Sequence, residues 1–153
     1  ICWRSGNLNP TRNAHYTNLA DWAEILKLPG CNFVNLQYGE SESEIIAGER
    51  ALGIKIMRWS DLDLKDDLEG TFALIHELDL VITVATSVSA MAPIVGTETW
   101  QLLLSPYWFD FGQEEWPWAP QVKNFYAVDR VVGVATALDN VKSALISRLE
   151  QRK

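Results

Sequence analysis

A continuous apolar run that passes directly into a helix constrains this chain more than any other feature. Residues 80–85 read LVITVA, and a second apolar run at helical spacing follows Thr86-Ser87. A strand that is apolar on both faces is typical of a central parallel strand with helices on each side. The junction predicts a helix whose free N–H groups, with their partial positive charge, can receive an anion. Equally, Ser87 can be a plain N-cap that binds nothing.

Strand-like and helix-like segments alternate along the rest of the chain. The other runs with strand composition are at 1–4, 32–37, 54–59, 99–104 and 124–129. Between them, apolar residues recur at helical spacing over 19–26, Ser41 and Glu44 form a capping-box pattern, and Gly53 suits a C-cap. This alternation predicts one α/β domain over residues 1–153, a Rossmann-like parallel sheet of about six strands with helices on both faces.

The predicted sheet places several polar strand ends at one edge. In the common strand order for such sheets, the first and fourth strands are neighbours, and ligands bind beyond their carboxyl ends. Arg4-Ser5-Gly6-Asn7 follow the first strand, and Thr86-Ser87 follow the fourth. Tyr38-Gly39 and Trp59-Ser60-Asp61 end the second and third strands at the same edge. These segments predict a crevice suited to an anion beside a base or ribose.

Three basic side chains lie on or after the first strand. Arg4 ends a buried strand, where a cation requires an anionic partner. Arg12 and His15 lie in the following loop, where they can line the crevice or remain solvated.

Composition excludes several classes of function. The formal net charge is −7 at pH 7 and no basic run is present, so a nucleic-acid partner is not expected. Cys2 and Cys31 form no CxxC pair and the two histidines are not clustered, so no metal site is expected. Reduced thiols are consistent with the cytoplasm, and no segment approaches the roughly 20 apolar residues of a membrane span. The chain opens without Met inside an apparent strand, so we expect a piece of a longer protein.

Several segments, in their order along the chain, resemble a known family. They are ICWRSGN at the start, FVNLQYG at 33–39, LDLVITVATSVSAMA at 78–92, TETWQLL at 97–103 and WPWAP at 116–120. Together they resemble the C-terminal, donor-binding half of a GT-B fold glycosyltransferase. They are most similar to heptosyltransferase-like enzymes and to glycosyltransferase modules fused to tetratricopeptide repeats in bacteria.

The resemblance implies the donor domain of an inverting, metal-independent transferase that binds a nucleotide-sugar and uses no cofactor. It implies that the donor diphosphate lies on the N–H groups of Thr86, Ser87 and Val88. The loop after the first strand would line the donor, and the ends of the second and third strands would hold the nucleoside. The positions concerned are Arg4, Ser5, Gly6, Asn7, Gln37, Tyr38 and Asp61.

The resemblance also assigns roles beyond donor binding. Arg4, Arg12 and His15 are the candidates for stabilising the leaving group. The base that activates an acceptor protein or glycan would lie in a missing N-terminal domain, with tetratricopeptide repeats as a further part of the chain. The isolated domain is therefore expected to be inactive.

Two alternatives remain open on the sequence. Ala85 and Ala90 stand where the resembled family has Asp and His, which favours a degenerate, non-catalytic binding or interaction module. The other alternative is an unrelated Rossmann-like domain, such as a piece of a nucleotide-sugar epimerase, against which the lack of a GxGxxG fingerprint counts.

Overall fold

The computed structural model describes residues 1–6, 10–107, 113 and 115–152. The strands are β1 (Phe33–Val34), β2 (Ile56–Met57), β3 (Val81–Val84), β4 (Thr99–Leu103), β5 (Glu115–Trp116) and β6 (Ala119–Tyr126). The α-helices are α1 (Ala23–Leu26), α2 (Glu42–Leu52), α3 (Leu68–His76), α4 (Ser87–Ile94) and α5 (Leu138–Gln151). Short 3-10 helices cover Pro10–His15, Leu19–Trp22 and Val134–Ala137.

The strands form two small sheets rather than one. β1 and β2 pair in parallel, with Phe33 opposite Ile56. β3, β4 and β6 form a second parallel set, and β5 pairs antiparallel with β6 at its edge. The domain is a small α/β protein, and the prediction of one Rossmann-like sheet of about six parallel strands is wrong.

The start of the chain lies between the two sheets without becoming a strand of either. The amino group of Ile1 donates to the Val34 carbonyl at 2.8 Å, and the Cys2 N–H donates to the Ile82 carbonyl at 3.2 Å. Cys2 forms only an isolated parallel bridge with Thr83. The segment therefore contacts both sheets, but it pairs with each of them through one residue, Ile1 with the first sheet and Cys2 with the second.

A side chain ends this pairing. The Oε1 atom of Gln37 accepts the backbone N–H groups of Trp3 at 3.1 Å and Arg4 at 3.0 Å. A continuing strand would donate such N–H groups to a neighbouring strand. Because the amide of Gln37 takes them instead, the ladder stops and the two sheets stay separate.

The central strand β3 sends alternate side chains into two apolar cores. Ile82 and Val84 belong to the larger core, and Val81 belongs to the core on the opposite face. The larger core also contains Trp3, Trp22, Ile45, Leu102, Val141 and Leu145. The smaller core contains Cys2, Leu36, Ile75, Val88 and Met91. Helices thus cover both faces of β3, as its apolar sequence requires.

Gly133 brings the loop before the last helix against the first 3-10 helix. Its φ angle is +111°, and a Cβ atom at this position would lie 2.6 Å from the carbonyl oxygen of Ala14. Glycine adopts this backbone conformation without steric cost, and it has no side chain to collide with the neighbouring backbone. The contact therefore joins an early segment of the described chain to a late one.

Glu44 anchors the start of the chain to α2. Its carboxylate accepts from the Trp3 indole at 3.2 Å, from the Arg4 guanidinium and from the Leu19 N–H at 2.7 Å. The Arg4 and Glu44 side chains are 17% and 26% exposed, so the ion pair is partly shielded from water. The predicted capping box at the start of α2 does not form, because Glu44 is engaged here and Ser41 makes no side-chain cap.

We expect Glu44→Ala to lower the free energy of unfolding by about 3 kcal/mol. The substitution leaves a partly buried guanidinium unpaired and the Leu19 N–H without its acceptor. Urea denaturation followed by tryptophan fluorescence measures the change. Glu24→Ala is the matched control, because Glu24 pairs with Lys142 at the surface and its loss should leave stability nearly unchanged. Equal losses in the two variants would contradict the anchoring role.

Candidate functional site

A crevice of about 610 Å³ lies at the carboxyl ends of β1 and β2. The segment after β1 contributes Gln37 and Tyr38 to it, and the segment after β2 contributes Trp59 and Asp61. Lys65 comes from the loop that precedes α3. Three residues assigned to a nucleoside from the sequence, Gln37, Tyr38 and Asp61, therefore lie together in one concave surface.

The crevice presents an indole, a carboxylate and an ammonium group to solvent. Trp59 is 49% exposed. Asp61 and Lys65 are also exposed, and neither forms an ion pair with any residue that the structure describes. An indole face packs on a flat base or on the C–H face of a sugar, and a carboxylate accepts hydrogen bonds from hydroxyl groups. The crevice therefore has the chemistry to hold a polar ring.

Arg58 stiffens one wall of the crevice. Its guanidinium pairs with Glu42 at 2.9 Å and with Glu49 at 2.8 Å, and it also donates to the Ile56 carbonyl. The hydrogen bond from Arg58, followed by that from the Ile56 N–H, lowers the pKa of Glu49. The hydrogen bonds to both carboxylates raise the pKa of Arg58 in turn. The Arg58 guanidinium is neutralised by two carboxylates of the protein, so it has a structural role and is not assigned to ligand binding.

Asp63 fixes the loop that carries Lys65. Its carboxylate accepts the backbone N–H groups of Lys65 at 2.9 Å and Asp66 at 3.1 Å. These bonds lower the pKa of Asp63, so the carboxylate is ionised and the turn is intact at neutral pH.

Gln37 connects the crevice to the junction after β3. Its side chain is 2% exposed, and its Oε1 atom lies 3.6 Å from the Sγ atom of Cys2. That sulfur lies 3.7 Å from the Oγ1 atom of Thr86. Burial raises the pKa of the Cys2 thiol, which keeps it protonated. Gln37 in the crevice is thus linked to the start of α4 by two side-chain contacts, one to Cys2 and one from Cys2 to Thr86.

The first turn of α4 has no side-chain cap. Thr86 is its N-cap residue in an extended conformation, and its own side chain makes no capping bond. Ser89 donates to the Thr86 carbonyl at 2.8 Å and accepts from the Gln101 amide at 3.1 Å. Free N–H groups at a helix start favour an anion. The residues assigned to a diphosphate, Thr86, Ser87 and Val88, lie at this turn, outside the lining of the crevice.

The basic residues considered on the sequence do not line the crevice. Arg4 is paired with Glu44 and donates to the Glu40 carbonyl at 3.2 Å. Its anionic partner is therefore a side chain of the same domain. Arg12 and His15 lie in the first 3-10 helix, exposed and half-buried respectively, and neither is among the lining residues.

The loop after Arg4 approaches the crevice through Tyr38. The Ser5 hydroxyl lies 3.4 Å from the Tyr38 hydroxyl, and a Cβ atom on Gly6 would lie 3.1 Å from the Tyr38 ring. Asn7, which was also assigned to the donor, lies outside the described residues.

Two site residues were missed or misread on the sequence. Lys65 had a signal, because it is the one cation among four aspartates in DLDLKDD, residues 61–67. Glu44 had none, since its partner Arg4 is 40 positions away and its local spacing suggested a helix cap.

The described residues contain neither a membrane-spanning helix nor a cluster of metal-binding side chains. In those residues no helix is both long enough and apolar enough to cross a membrane. The same part of the chain has no group of three or more His, Cys, Asp or Glu side chains arranged to hold a metal ion.

Comparison with known proteins gives one informative similarity. The chain is 37% identical over 125 residues to Protein FlbA of Caulobacter vibrioides, which covers 82% of this chain and 21% of that protein. The chain thus spans about a fifth of the length of the relative it matches. No protein-family profile matches the chain. No solved structure matches it either.

These findings correct the resemblance described above. The relative carries the name Protein FlbA, and neither that name nor any matched profile or structure identifies a glycosyltransferase. The fold consists of two small sheets rather than half of a GT-B enzyme. The assignment to the GT-B glycosyltransferases is therefore wrong.

Acid should weaken the cluster around Arg58. The pKa of the Glu49 carboxyl is below its ordinary value of 4.5. The ionised carboxylate therefore contributes its full stabilisation above about pH 4.5, and this stabilisation is lost as the pH falls through the pKa of the folded state. We expect Glu49→Gln to reduce this acid-dependent loss, measured as the urea midpoint against pH. Glu150→Gln, at an exposed carboxylate without an ion pair to a described residue, should leave the profile unchanged. A wild-type acid profile in Glu49→Gln would contradict the assignment.

Proposed function

We propose that this domain binds a nucleotide-sugar, or another nucleoside diphosphate, at the carboxyl ends of β1, β2 and β3 and without a metal ion. The observation that carries the proposal is the crevice after β1 and β2. It contains the exposed indole of Trp59 and the Asp61 carboxylate, which has no ion-pair partner among the described residues, and the start of α4 nearby has no side-chain cap. A polar ring and a diphosphate each find complementary groups there.

The nucleoside occupies the crevice. Its base stacks on Trp59, whose indole is the largest exposed apolar group of the lining. Its ribose hydroxyls donate to Asp61, which has no ion-pair partner among the described residues to compete with them. Tyr38 also lines the crevice, and its hydroxyl and ring lie against Ser5 and Gly6.

The diphosphate lies on the N–H groups of Thr86, Ser87 and Val88. The contacts from Gln37 through Cys2 to Thr86 connect this turn to the crevice through buried side chains, and the proposed ligand extends from the one to the other. Arg4 is not part of the proposed site, because moving it to a ligand would leave Glu44 without its cation. The proposal assigns binding to this domain and no reaction.

A second candidate is an interaction module without a small-molecule ligand. Val128, Val131 and Val132, in the loop after β6, are 74%, 93% and 65% exposed. Neighbouring exposed apolar side chains mark surfaces that bind other proteins. Two results together would favour this candidate: no nucleoside diphosphate binds, and the domain self-associates in sedimentation whereas Val131→Ser stays monomeric.

Calorimetric titration with UDP, GDP and ADP in the presence of EDTA tests the first candidate. At least one of the three should bind. Trp59→Ala should lower the affinity for that nucleotide by about tenfold or more, because the substitution removes the stacking surface. Asp61→Asn should weaken it by about fivefold to tenfold through the loss of a charge-assisted hydrogen bond.

The matched control is Trp118→Ala. Trp118 is an indole 64% exposed in the turn between β5 and β6, so its removal should leave affinity unchanged. Failure of all three nucleotides to bind would refute the proposed function.

A further inference from the structure

A row of polar side chains crosses the second sheet on the face covered by α4. Thr83, Gln101 and Asn124 lie side by side in the register of β3, β4 and β6. They are 0%, 2% and 7% exposed. Thr83 and Asn124 lie near the carboxyl ends of β3 and β6, Gln101 lies at the middle of β4, and the Thr83 hydroxyl lies 3.4 Å from that of Thr86. Polar residues in this interior position call for an explanation, because apolar side chains would pack there without hydrogen-bonding partners.

The orientation of the Gln101 amide follows from its neighbours. Ser89, in the first turn of α4, uses its proton to donate to the Thr86 carbonyl at 2.8 Å. Its oxygen can therefore only accept from Gln101, whose Nε2 atom lies 3.1 Å away. This leaves the Oε1 atom of Gln101 as a buried acceptor with no donor in the described part of the chain.

Asn124 repeats the pattern on the next strand. Its Nδ2 atom lies 3.3 Å from the Tyr126 hydroxyl, and its buried Oδ1 atom has no donor among the described residues. Two neighbouring strands thus each hold a buried carboxamide oxygen without a donor in the described part of the chain, and Gln101 lies against the first turn of α4. Buried acceptors are rarely left without a donor, and each exception calls for an explanation, such as a bound water or a ligand hydroxyl.

The chemistry of the occupant is constrained. A phosphate or carboxylate brings no donor at neutral pH, whereas each hydroxyl of a sugar brings one. We propose that Gln101 and Asn124 form a hydroxyl-binding subsite that receives the sugar of the ligand. The inference rests on the proposed function, in which the diphosphate lies on the first turn of α4 and the attached sugar lies beside it. The Oε1 atom of Gln101 and the Oδ1 atom of Asn124 are both enclosed in this structure. Binding of a sugar therefore requires the first turn of α4 to move outward from the sheet.

The test compares each nucleoside diphosphate with its nucleotide-sugars, using UDP with UDP-glucose and UDP-N-acetylglucosamine, and the GDP and ADP counterparts. In the wild-type domain at least one nucleotide-sugar should bind about fivefold to tenfold more tightly than its parent diphosphate. Asn124→Leu and Gln101→Met remove the acceptors and keep side chains of similar length, and each should bring this ratio close to one. The affinity for the diphosphate itself should stay within about twofold.

Gln121→Met is the matched control for these variants. Gln121 lies on the same strand as Asn124, but its amide donates to the Pro93 carbonyl at 2.7 Å, away from the first turn of α4. It should keep the wild-type ratio. Melting curves of all variants show whether each one is folded, and the second acceptor variant serves if the first is not.

A further arm separates failure of this inference from failure of the proposed function. Free glucose and N-acetylglucosamine are added at millimolar concentration and the melting temperature is measured. If diphosphates fail to bind but a monosaccharide stabilises the wild type and not Asn124→Leu, the subsite stands and the nucleotide proposal falls. If diphosphates bind while the sugar adds no affinity, or if both acceptor variants keep the wild-type ratio, the subsite is refuted. If no sugar-bearing compound binds, it is refuted as well.

Discussion

The two backbone N–H groups that Gln37 takes from Trp3 and Arg4 determine how this domain is assembled. They end the pairing of the start of the chain with the two sheets, and they hold this segment at the position where both sheets meet. Glu44 secures the same segment from α2 through the Trp3 indole and the Arg4 guanidinium. These two polar side chains thus fix the start of the chain, and Gln37 also lines the crevice.

The strand β3 and the helix after it could be predicted from local pattern, although the single six-stranded sheet was wrong. The apolar run of β3, its turn at Thr86 and the helix that follows are all where the sequence placed them, because burial on both faces leaves a continuous signature. The extent of the sheets could not be predicted. Whether residues 1–4 pair as a strand depends on one amide 33 positions away, and no local propensity encodes that competition.

The candidate site shows the same division. Gln37, Tyr38 and Asp61 share a crevice because parallel strand ends meet at one edge, which topology makes predictable. The role of Arg4 was not predictable, since a cation at a strand end can be neutralised by a ligand or by a residue far along the chain. Here Glu44 neutralises it, and the spacing of Glu44 from Ser41 pointed to a different task.

The close approach of Gly133 to Ala14 makes an early and a late segment depend on each other for their order. A fluctuation that frees the first 3-10 helix also removes the surface on which the loop before α5 rests. The amides of residues 11–15 and 133–137 should therefore exchange with solvent deuterium at matched rates, as parts of one cooperative unit. Segments more than a hundred positions apart in sequence would then open together, and neither would fray alone.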